Sequence, residues 1–177
     1  MLVTKEFYHH YVSLPPPDQV PLEIRDNPGF YPYFKKCCGA VDGSLLDAFV
    51  SEEDMSQYRS RKGHISTNLL AACCFSLLFC YLLSSWEGSA ADSRVFDNAH
   101  WVDFPIAPGT YYLGNAGFPL CDALLVPYHG ALSQGMGSKS LKASYSYVLR
   151  ALNHLFYLSD HQTTRSCLIS VTHHFAM

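Results

Sequence analysis

The stretch LLAACCFSLLFCYLL, Leu69 to Leu83, constrains this chain more than any other. It runs for fifteen residues with Ser76 as its only clearly polar side chain. So long an apolar run has to leave water, either in a bilayer or in a protein core. A membrane-spanning helix needs about 20 such residues; extension through Ser84, Ser85 and Trp86 brings the run to a marginal length. The alternative is two buried strands joined by a tight turn near Phe75 and Ser76. Hydropathy fits both, because the period of a short apolar run does not separate a buried strand from a buried helix.

The rest of the chain is that of one globular domain with a real core: 177 residues, 49% hydrophobic and 15% charged. A formal net charge of −3 gives no general attraction to nucleic acid, so any DNA contact needs a local basic patch. The seven cysteines are an odd number, with adjacent pairs at Cys37-Cys38 and Cys73-Cys74 and no CxxC. They read as reduced, intracellular thiols. The N-terminus, MLVTKEFYHHYV, has no long apolar segment, so no secretory signal is expected.

Residues 1–33 form a proline-rich lead-in. SLPPPDQVPLEIRDNPGFYP holds six of the ten prolines, which excludes a regular helix or central strand and predicts an extended path over a surface. Strands are predicted at Cys37–Val41 and Leu45–Val50, as a hairpin with Asp42-Gly43 at its turn. Ser51, followed by Glu52, Glu53 and Asp54, signals the start of a short helix. The apolar run supplies strands at Leu69–Phe75 and Phe79–Ser84. A helix is expected to begin near Asp92 and to bury Val95, Phe96 and Ala99. Strands follow at Tyr111–Leu113 and Ala123–Val126. ALSQGMGSKS reads as flexible, and YSYVLRALNHLFYL as helical with Leu149, Leu152, Leu155 and Phe156 on one face. This mixture predicts an α/β or α+β fold.

Three places carry candidate chemistry. Asp42 and Asp92 sit at turns, where two acids from separate elements could share a Mg²⁺ ion with substrate phosphates. Two such ions clamp the attacking and leaving oxygens of a phosphodiester. The plainer readings are a hairpin-turn Asp and a helix N-cap. YRSRKGHIS offers Arg59, Arg61 and Lys62 for phosphates, or else a solvated loop. YYLGNAGFP, Tyr111 to Pro119, is a strand running into a small-residue turn, a place suited to presenting a metal-binding carboxylate, but it presents the neutral Asn115. The histidines show no zinc spacing with nearby cysteines, and GxxxxGK[ST], GxGxxG and HExxH do not occur.

The blocks CCGAVDGSLLDAFV, YRSRKGHISTNLLAAC, YLLSSWEGSAADSRVF, YYLGNAGFP and VPYHG stand in the order of a Harbinger-type transposase or transposase-derived nuclease, the DDE superfamily endonuclease domain. The lead-in FYHHYVSLPPPDQVPLEIRDNPGFYPYF resembles the segment before that domain, and the resemblance is continuous from about residue 7 to 130. It implies an RNase H-like α/β core, a mixed sheet with flanking helices, spanning 34–130. It also implies divalent metal (Mg²⁺ or Mn²⁺) for DNA cleavage, DNA as partner, an accessory DNA-binding protein, and a nuclear location for a functional copy, otherwise a cytoplasmic one.

Carried over, Asp42 in VDG is the first catalytic acid and Asp92 a further metal-associated one. Asn115 stands where the next catalytic Asp is expected. The family's last acid lies in a helix of the form HxxxRNxIE; HQTTRSCLI matches through His161 and Arg165 and puts Ile169 at the acid position. Residues 131–177 therefore read as a diverged C-terminal segment. The apolar run falls where the family has two strands and a polar turn, which favours the hairpin over a membrane span. The resemblance thus implies a nuclease by descent that is inactive in this copy. The rivals are a non-catalytic protein- or DNA-interaction module and a chain whose damaged last helix prevents stable folding.

Overall fold

The computed structural model describes residues 8, 10–61 and 63–127. The expected segments beyond residue 127, including His161, Arg165 and Ile169, lie outside the described residues, as does Lys62. Five strands form one mixed sheet: β1 (Cys37–Asp47), β2 (Ser66–Cys73), β3 (Phe79–Glu87), β4 (Tyr111–Leu113) and β5 (Leu124–Leu125), in the order β3-β2-β1-β4-β5. The first three are antiparallel neighbours, and β4 and β5 run parallel to β1. Helices α1 (Leu22–Arg25), α2 (Met55–Tyr58) and α3 (Asp92–Val102) accompany them among the described residues. This is the α/β character expected.

The apolar run is a hairpin. Its two halves are β2 and β3, paired through Leu70↔Leu83, Ala71↔Leu82 and Ala72↔Tyr81. The turn closes at Cys74–Leu78, where the Cys74 N–H donates to the Leu78 carbonyl and the Leu77 N–H to that of Cys74. Both faces of β2 are buried, so the sequence shows a continuous apolar run rather than an alternation. Among the described residues no helix is long and apolar enough to cross a membrane.

The predicted hairpin at Asp42-Gly43 is wrong. β1 passes straight through both residues, and the register pairs Asp42 with Ala71 and Gly43 with Leu70. Asp-Gly is a turn signal because it tolerates positive φ, but here Gly43 answers a different need. A Cβ at this position would collide with the carboxylate of Asp92. The plainer readings of both acids fall with it: Asp42 is a mid-strand residue, and Asp92 is the first residue of α3, whose N-cap is Ala91.

Each sheet face has its own core. On one, α3 lays Val95, Phe96 and Ala99 against Val41, Leu70, Ala72, Tyr81 and Tyr112. The aromatics interlock there: Phe96 meets Phe104 and Phe118 edge-on, with ring centroids 6.2 and 6.1 Å apart, and Tyr81 stacks on Phe104 at 4.3 Å. On the other, Ile24 from the lead-in and Phe34 just after it pack with Cys37, Ala40, Cys73 and Leu113. The expectation of a purely extended surface path is corrected here. Pro21 is the N-cap of one helical turn, Leu22–Arg25, where its missing N–H costs nothing, and that turn buries Ile24 completely. The helix signalled at Ser51 begins one turn later, at Met55; the Ser51 hydroxyl donates to Asp54 Oδ2 at 2.7 Å instead of capping α2 itself.

Candidate metal centre and cleft

β1 and β4 bring Asp42 and Asn115 together. They are parallel neighbours with Ala40 opposite Leu113, so two residues further along each strand, Asp42 faces Asn115. The Asn115 Nδ2 donates to Asp42 Oδ1 at 2.8 Å. The same oxygen accepts the Gly43 N–H at 2.9 Å. The Asn115 Oδ1 accepts the Gly117 N–H at 2.7 Å, and Phe118 N–H closes the turn onto the Asn115 carbonyl. Phe118 is buried against Phe96 of α3, so the packing that seats the helix also seats the Asn115 turn.

Asp92 enters from the start of α3. Its Oδ1 accepts a hydrogen bond from Asn68 Nδ2 at 3.2 Å, and the same nitrogen donates to the Ala90 carbonyl at 3.1 Å. Asn68 is buried on β2. It therefore ties the backbone just before α3 to the sheet and aims the Asp92 carboxylate. Asn68 was not singled out in the sequence, where it reads as one polar residue in STNLLAAC. The available signal was an amide placed in an otherwise buried strand, which needs a partner.

Asp42 is 8% exposed. Its pKa is pushed up to about 6. Burial is the main cause, and the nearby Asp92 charge adds to it; the hydrogen bonds from Gly43 and Asn115 oppose it. Gly117 separates Asn115 from Asp92: a Cβ there would lie 2.9 Å from Asn115 Oδ1 and 3.7 Å from Asp92 Oδ2. Asp92 opens onto a cleft of about 500 Å³ whose walls include Gly43, Ser44, Asn68, Ser89 and Arg61.

Arg61 is therefore at the site, whereas Arg59 is committed to its own loop. Arg59 forms a bridge with Ile65, and its Nη1 donates to the Gly63 carbonyl at 3.2 Å.

The match of a family model decides the lineage. That of the DDE superfamily endonuclease covers residues 41–172, well over half of the chain, and the segment contains Asp42, Asp92 and Asn115. The chain belongs to this family. No curated protein and no solved structure matches it. DDE endonucleases are transposase-related nucleases that generally use divalent metals and act on DNA.

The donor set suits one such ion. Mg²⁺ is held by one or two carboxylates and keeps several waters. Asp92 lines the cleft, Asp42 lies near enough to feel its charge, and the close approach of Asp92 to β1 depends on the bare Cα of Gly43. Among the described residues, no group of three His, Cys, Asp or Glu side chains gathers at one point. The third side chain here is Asn115, which turns its N–H rather than a charged oxygen toward Asp42.

Proposed function

We propose that this chain is a Harbinger-type, transposase-derived member of the family, with an RNase H-like core, that binds DNA without cutting it. The observation that carries the reading is the 2.8 Å bond from Asn115 to Asp42, at the position where the resemblance expects a catalytic Asp. A bound divalent ion would supply charge neutralisation at a scissile phosphate. Asp42 and Asp92 would hold one. The cleft-lining Arg61 would pair with a backbone phosphate, with Lys62 beside it in sequence.

A second ion would need further negative charge, and Asn115 is neutral. By the resemblance Ile169 adds no acid either. Loss of one group that stabilises transition-state charge commonly costs ~10²–10³ in rate. Two acids that act as a unit leave essentially no turnover when both are gone. With a net charge of −3, the chain lacks a general pull toward DNA. An accessory DNA-binding protein in the nucleus would supply recognition.

The test is a plasmid-nicking assay with Mg²⁺ or Mn²⁺, run beside fluorescence anisotropy on a DNA duplex. The expected outcome is binding, weakened by Arg61→Ala, without nicking. Nicking by the unmodified chain that disappears in Asp42→Ala would overturn the reading.

A further inference from the structure

Two carboxylates converge on this site, and each is answered by an amide. Asn115 donates to Asp42 at 2.8 Å and Asn68 to Asp92 at 3.2 Å. The orientation of each amide is forced by its other partner. The Gly117 N–H can only donate, so the Asn115 atom facing it at 2.7 Å is the oxygen, which leaves the nitrogen for Asp42. The Ala90 carbonyl can only accept, so Asn68 turns its nitrogen toward both Ala90 and Asp92. Neither amide can flip without setting two acceptors or two donors against each other.

We infer that the Asn115 carboxamide serves Asp42 in place of a cation, so that this site is stable without metal and an Asp at 115 would make its stability depend on metal. The inference rests on the reading of the site given above. An Asp at 115 could still accept the Gly117 N–H. Its other oxygen, however, would stand where the nitrogen now donates, against Asp42 Oδ1. Two carboxylates would then face each other next to Asp92, with Asp42 buried and only the Gly43 N–H still donating to it. Such a group is relieved by a shared proton or by a cation, so where pH leaves the proton scarce its stability depends on the cation. Asn115 is thus a positioning residue: it holds Asp42 in place with no ion bound.

The experiment compares thermal melting of the unmodified chain, Asn115→Asp and Asn115→Ala, in EDTA and across a Mn²⁺ series. In EDTA the unmodified chain should melt highest, with Asn115→Asp at least ~5 °C lower. Mn²⁺ should begin to raise the Tm of Asn115→Asp at a concentration at least tenfold below that needed for the unmodified chain. Asn115→Ala should lose stability in EDTA without gaining this sensitivity to Mn²⁺, which separates a cation substitute from an ordinary structural hydrogen bond. If Asn115→Asp is unfolded in EDTA, the expected result is return of a cooperative melt on adding Mn²⁺. The inference is overturned if Asn115→Asp melts within ~1 °C of the unmodified chain in EDTA. It is equally overturned if Mn²⁺ relieves Asn115→Asp no more than Asn115→Ala. Nicking by the unmodified chain would overturn the proposed function and leave these melts to be read on their own.

Discussion

At the scale of single residues, Asp42 is the costly one. Its folded pKa of about 6 lies well above the unfolded carboxyl value of ~3.9, because burial and Asp92 both disfavour its charge. Between those two values the folded chain holds a proton that the unfolded chain has released. Stability is therefore fullest below pH ~4, falls as pH rises toward about 6, and stays lower above it. The two-unit gap corresponds to an upper bound on the order of 3 kcal/mol. Asp42→Asn keeps the shape and can still accept from Gly43 and Asn115, but it cannot ionise. In EDTA, its stability relative to the unmodified chain should improve from pH 4 to pH 6 and then level off. Urea unfolding of both forms across that range measures it; a stability difference that does not change with pH would show that Asp42 ionises in the fold as freely as in water.

At the scale of elements, the site depends on how α3 and the Asn115 turn lock together. Asp92 begins α3, and four residues on, Phe96 meets Phe118 from the turn and Phe104 from the loop beyond the helix. Phe96→Ala should cost ~3–5 kcal/mol, as large aromatic deletions in cores do. Phe96→Leu should cost less, and both should weaken Mn²⁺ binding because Asp92 and Asn115 lose their common anchor. Denaturant unfolding paired with calorimetric Mn²⁺ titration checks both halves. Full Mn²⁺ affinity in a destabilised Phe96→Leu would mean that the site is held by Asn68 and the strands alone. The sequence made α3 legible, since Val95, Phe96 and Ala99 repeat at helical spacing. It also made β2, β3 and β4 legible from their apolar runs. It misled at Asp42-Gly43, because local turn chemistry says nothing of a carboxylate arriving from a helix fifty residues later. Asn68 escaped for the same reason: its partners, Ala90 and Asp92, lie more than twenty residues away. The reading of Asn115 at a carboxylate's position rests on resemblance; that its amide bonds Asp42 required the parallel pairing of β1 and β4.

At the scale of the whole molecule, a sheet with apolar side chains on both faces has to be covered on both. Among the described residues, α3 and the Phe104 and Phe118 loops cover one face, and the proline-rich lead-in covers the other. The lead-in is thus a layer of the domain rather than an approach to it. Ile24 is fully buried and Phe34 is 3% exposed, against Cys37, Ala40, Cys73 and Leu113. Val20 and Phe30 extend the same cover. Removing residues 1–33 would expose Cys37, Ala40, Cys73 and Leu113 to water and leave Phe34 without Ile24 and Phe30 beside it. Within the layer, Ile24→Ala should cost ~2–5 kcal/mol, the range for large-to-small changes in a core. Leu22→Ala, two residues away in the same helical turn but 59% exposed, should stay within ~0.5 kcal/mol of the unmodified chain. The chain lacking residues 1–33 should lose its cooperative melt and aggregate, because domain stability of ~5–15 kcal/mol cannot absorb the loss of a whole core layer. Differential scanning calorimetry on the three variants makes the comparison. A truncated chain with the unmodified melting temperature would show that the lead-in rests on the sheet without stabilising it, and the α3 face would then have to hold the fold by itself.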